Sequence, residues 1–74
     1  MTGVVVKVES VSLGDVRSFT LRSEGRNYVV YLGPDADLAF PPAHLNEHLA
    51  TSQPVKVELD RRRGRYFALS VRDA

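Results

Sequence analysis

Val4, Val6 and Val8 alternate with Val5, Lys7 and Glu9 at the start of the chain. A period of two in β-branched residues predicts a strand, with Val5 on the outward phase. Ser12-Leu13-Gly14-Asp15 breaks the pattern as a turn. It resumes from Val16 to Arg22, with Phe19 and Leu21 on one face and Ser18, Thr20 and Arg22 on the other. Ser23-Glu24-Gly25-Arg26 reads as a second turn. Asn27 to Leu32 is a third strand, with Tyr28, Val30 and Leu32 facing one way and Val29 and Tyr31 the other. Short turns between three successive strands predict an antiparallel meander.

Gly33-Pro34-Asp35 stops the third strand, and a loop runs to Phe40. Pro41 and Pro42 then precede Ala43 to Ala50, a segment of two to three helical turns. Leu45 and Leu49, four apart, form its apolar face. Ser52-Gln53-Pro54 ends the helix. Val55, Val57 and Leu59 alternate with Lys56, Glu58 and Asp60 as a fourth strand. Arg61-Arg62-Arg63-Gly64 makes a hairpin turn, and Tyr66 to Arg72 is the fifth strand, with Phe67, Leu69 and Val71 facing in. Phe19, Tyr28, Phe40 and Phe67 are assigned to the core or its lid.

The predicted fold is mainly β: a small five-stranded antiparallel barrel of order β-β-β-α-β-β, with Leu45 and Leu49 plugging one end. An SH3-like barrel also has five strands but carries no helix of this length between the third and fourth. With 74 residues the chain forms a single domain, since half of it could not bury a core. It contains no cysteine, which removes disulfides and thiolate chemistry. Its net charge of +1 excludes a global basic field. No secretory signal pattern and no apolar run long enough for a membrane-spanning helix are present, so a cytoplasmic location is the expectation, with no membrane partner.

This order, together with Pro54-Val55-Lys56-Val57 and Ala68-Leu69-Ser70-Val71, resembles the small OB-fold-like domains of bacteria. The resemblance spans nearly the whole chain. It implies a barrel with a binding face beside the hairpin that joins the last two strands. It brings no diagnostic motif and therefore no residue roles.

Arg61, Arg62, Arg63 and Arg65 crowd that hairpin and can hold a phosphate backbone without reading its bases. The bland counterpart is a solvated hairpin tip. Tyr31 and Tyr66, both out of phase with the predicted core, can stack bases. Lys7 and Arg22 share the outward phase and can lie beside Tyr31 on the first three strands. Two partner classes follow. One is single-stranded DNA or RNA on this face. The other is a second copy or another protein, docked on an apolar patch of Val5, Val29 and Tyr31.

His44-Leu45-Asn46-Glu47-His48 matches H-x-x-E-H. On a helix both imidazoles share one face, but the pattern supplies no third protein ligand. With Leu45 and Leu49 owning the buried face, the histidines read as exposed and no metal is expected. No nucleophile, base and orienting group can be named together, so the chain is read as non-enzymatic and without a cofactor.

Overall fold

The computed structural model describes residues 1–12 and 15–74. The predicted turn around Leu13 and Gly14 lies outside the described residues. Among the described residues there are six strands: β1 (Thr2–Ser12), β2 (Asp15–Ser23), β3 (Arg26–Tyr31), β4 (Asp37–Leu38), β5 (Val55–Arg62) and β6 (Arg65–Asp73). A 3₁₀ turn (Pro42–His44) runs into the helix α1 (Leu45–Thr51). β4 is a two-residue strand inside the predicted loop, held parallel to β6.

The other five strands close on themselves in the cycle β1-β2-β3-β6-β5-β1. This is the predicted five-strand barrel with a short helix before its fourth strand. All its pairings are antiparallel except one: β3 and β6 close the barrel in parallel, Val30 opposite Tyr66 and Tyr31 opposite Phe67. Two hairpins are tight. Glu24-Gly25 and Arg63-Gly64 all have positive φ, which two-residue turns of this hand require.

The core contains Phe19, Leu21, Val30, Val55, Val57 and Val71, with Leu45 of α1 inserted from one end. The predicted in-and-out phase fails at three places, and each is a register shift. Val5 pairs with Leu21 and Lys7 with Thr20, so Val6 is an extra residue on β1. Val5 is therefore buried, while Val6 is 40% exposed. Glu9 pairs with Ser18 and Ser10 with Val16, so Arg17 is extra on β2. Glu58 pairs with Ser70 and Leu59 with Ala68, so Leu69 is extra on β6. There Ala68 is buried and Leu69 is 45% exposed. A single inserted residue turns every later side chain to the other face and bends the strand, as closing a small barrel requires.

The helix differs in the same sense. Leu45 is fully buried as predicted, but Leu49 is 38% exposed and His48, at 4%, takes the second inward position. Leu45 and His48 are three apart, so the plug turns on its axis relative to the predicted stripe.

β1 and β2 approach so closely at Gly3 that a Cβ there would collide with the Arg22 carbonyl oxygen. Gly3→Ala should therefore destabilise the protein by about 1–3 kcal/mol, read by urea unfolding. The bulge makes a sharper comparison. Val5→Ala should cost about 1.5–3 kcal/mol, and Val6→Ala should stay within about 0.5 kcal/mol of the parent. Equal costs at the two positions would contradict the register.

Candidate functional sites on the barrel wall and at its plugged end

Cross-strand partners share a face, so the parallel closure puts Tyr31 and Phe67 side by side on the outer wall. Their ring centroids lie 5.7 Å apart at an interplanar angle of 37°. The β5–β6 hairpin delivers cations to both. The Arg65 guanidinium carbon stands 5.4 Å from the Tyr31 centroid, and that of Arg62 stands 5.8 Å from the Phe67 centroid. These distances are within cation–π range. Lys7, Thr20, Tyr31 and Arg65 line one groove across the wall. Arg62, Arg63, Arg65 and Phe67 line a depression adjoining it.

Two carboxylates temper this face. Asp60 accepts from Arg62 Nε at 2.6 Å, and Glu9 pairs with Lys7 at 3.2 Å. Both pairs are exposed and contribute little to stability.

The hairpin splits the arginine run. Arg62 and Arg65 are cross-strand partners on the outer face. Arg61 pairs with Tyr66 on the inward phase, and its guanidinium carbon lies 5.8 Å from that ring. Arg63 occupies the turn itself with φ 52°.

Two further assignments change. Tyr66, expected on the binding face, packs edge-on against Tyr28 at 5.6 Å. Phe67, expected in the core, is the outward aromatic. The extra Leu69 is the reason, because it reverses the phase of everything before it on β6. Arg22 also departs from the expected cluster. It lines a different cleft with Met1, Thr2 and Tyr28, away from Lys7 and Tyr31. The expected apolar patch of Val5, Val29 and Tyr31 loses Val5 to the core.

A second constellation lies at the plugged end. Ser52 adopts the left-handed conformation that ends α1, and its N–H bonds the His48 carbonyl. The chain reverses there and returns the Gln53 carbonyl oxygen to within 2.8 Å of His48 Nδ1. Asp73 is the cross-strand partner of Val55 and thus arrives beside the same turn. Its Oδ1 lies 2.5 Å from His48 Nε2 and 3.5 Å from His44 Nε2. His44 Nδ1 in turn lies 2.8 Å from Glu47 Oε2. Phe40 stacks on this pair, with its centroid 4.6 Å from His44 and 5.5 Å from His48.

The histidines thus face Asp73 rather than open solvent, and His48 is buried. The H-x-x-E-H spacing marked both, and it marked Glu47 as their neighbour. Nothing local marked Asp73, which sits 25 residues beyond His48 and reads in sequence as tail.

Compared with protein-family models, curated proteins and solved structures, the chain matches none.

Proposed function

We propose that this protein is a non-enzymatic binding module of the OB-fold-like kind that takes single-stranded nucleic acid on its outer wall. The observation that carries the reading is the Tyr31–Phe67 pair flanked by Arg65 and Arg62. Single strands bind through aromatic faces that stack bases and cations that follow the backbone. A guanidinium plane lying over a ring extends the stacking surface, because bases stack on arginine as well as on aromatics. Lys7 and Arg63 add charge at the two ends of this surface. Stacking and backbone contacts tolerate any base, so the reading is of a strand and not of a sequence. Glu9 and Asp60 keep the face from being uniformly basic, which limits affinity, while the contacts of its cations with phosphates make binding sensitive to salt.

Fluorescence anisotropy of a labelled single-stranded oligonucleotide, titrated at low and moderate salt, tests this directly. Binding should weaken steeply with salt. Phe67→Ala should cost about 1–3 kcal/mol of binding through lost stacking. Arg65→Ala should lower the salt slope by about one. Arg22→Ala, in its separate cleft, should change neither. Absence of binding at low salt, or binding that ignores both Phe67 and Arg65, would remove the reading.

A further inference from the structure

His48 makes two hydrogen-bonding contacts that constrain each other. The Gln53 carbonyl oxygen can only accept, so His48 Nδ1 carries a hydrogen and donates it. Nε2 then faces Asp73 Oδ1 at 2.5 Å. In neutral imidazole this nitrogen is a bare acceptor, and an ionised carboxylate oxygen is one too. Something positive must lie between them. A proton can at this distance; a metal ion can once the two groups part to the spacing of metal ligands.

His44 brings a second ring nitrogen to the same carboxylate oxygen. Its Nδ1 is held by the Glu47 carboxylate, which leaves Nε2 as the free lone pair. That nitrogen also points to Asp73 Oδ1, at 3.5 Å. Two imidazoles, each with Nδ1 tied to an acceptor, thus aim Nε2 at one carboxylate oxygen. Orienting acceptors of this kind, a carboxylate on one histidine and a backbone carbonyl on the other, are the usual outer shell of metal-bound histidines. A single divalent ion answers both nitrogens and the carboxylate.

We infer that His44, His48 and Asp73 form a binding site for a divalent transition-metal ion of the zinc type. Their three donor atoms lie within 4.8 Å of one another. Around a tetrahedral zinc with bonds near 2.1 Å, donor atoms are about 3.4 Å apart. The His44–Asp73 separation of 3.5 Å already has that value. The His48–Asp73 contact must open by about 1 Å and the two histidine donors, up to 4.8 Å apart, must draw together; Asp73 can give way because its side chain is 65% exposed. Two imidazoles and one carboxylate favour zinc and its neighbours over calcium or magnesium, which take oxygen ligands. Phe40 packs against both rings, and Thr51, Gln53 and Pro54 line the cleft that the histidines and Asp73 share. Three protein donors leave zinc a fourth position for water from that cleft. The bound ion would tie the helical plug to the end of β6. Any proton held between His48 and Asp73 leaves to solvent as the ion enters. This inference does not depend on the nucleic-acid reading, since it uses none of the same residues.

The test uses the full chain without a histidine tag, stripped with a chelator and titrated with zinc chloride in a calorimeter. One zinc per chain should bind, and the melting temperature should rise with zinc concentration. His44→Gln and Asp73→Asn alter partly exposed positions and should fold. Each should weaken zinc binding at least tenfold, since even loss of an outer-shell partner costs about that much. Circular dichroism of each variant separates lost binding from lost folding, and a variant that does not fold is replaced by His44→Asn or Asp73→Ser. A folded parent that takes up no zinc would show that the three side chains serve only as a hydrogen-bonded cluster. Zinc uptake unchanged in both variants would show an adventitious site elsewhere. Either result overturns the inference.

Discussion

β3 and β6 meet through two residue pairs, Val30 with Tyr66 and Tyr31 with Phe67, and through these the sheet closes. Without that seam the order β3-β2-β1-β5-β6 is an open sheet with two long edges, a liability for a chain this small. With it, Val30 and Val57 belong to one core and Leu45 has a barrel end to plug. The seam also makes the outer-wall site. Tyr31 and Phe67 are neighbours because their strands are neighbours there, and the β5–β6 hairpin overhangs that junction with Arg62 and Arg65. The geometry of the candidate interface is thus a by-product of closure.

Closure has its own requirement. Five strands around so narrow a core must bend, and β1 must serve β2 along one edge and β5 along the other. The extra residues Val6, Val11, Arg17 and Leu69 supply the bending and are all exposed. Each also shifts the side-chain phase of its strand. That is why Val5 packs in the core, and why Phe67 and Tyr66 exchange the places that strict alternation assigns them. At Gly3 the crowding of β1 against β2 leaves no room for a side chain.

The two candidate sites lie near opposite ends of β6. Phe67 and Asp73 are six residues apart, roughly 20 Å along an extended strand. The wall site is open, cationic and aromatic, and it can accommodate a flexible polyanion. The site at the plugged end is small, carries two oriented imidazoles and a carboxylate, and suits an ion. Since α1 and β6 both contribute to the second site, an ion there would act on the stability of the whole barrel rather than on the wall face.

Much of the architecture follows from local rules. Valine-rich alternation, the Gly25 and Gly64 turns, and Pro41-Pro42 ahead of Leu45 specify five barrel strands and one helix in their observed order. The clustering of arginine at one hairpin, and the H-x-x-E-H spacing that sets two imidazoles on one helical face, are equally local. What tertiary structure alone decided is which side chains meet. Bulges depend on strand pairing, and a shift of one residue reverses a face with no mark in the composition of the strand. Periodicity therefore could not place Phe67 outside, Val5 inside or Arg22 apart from Lys7. The turn of α1 on its axis was set by the shape of the barrel end, which received Leu45 and His48 and left Leu49 out. Asp73 reaches the histidines only because β6 pairs with β5 to its last residues, which brings it to His48, 25 residues earlier in the chain. Residue types and spacings along the chain established what chemistry was available; the pairing of distant strands established where that chemistry converges.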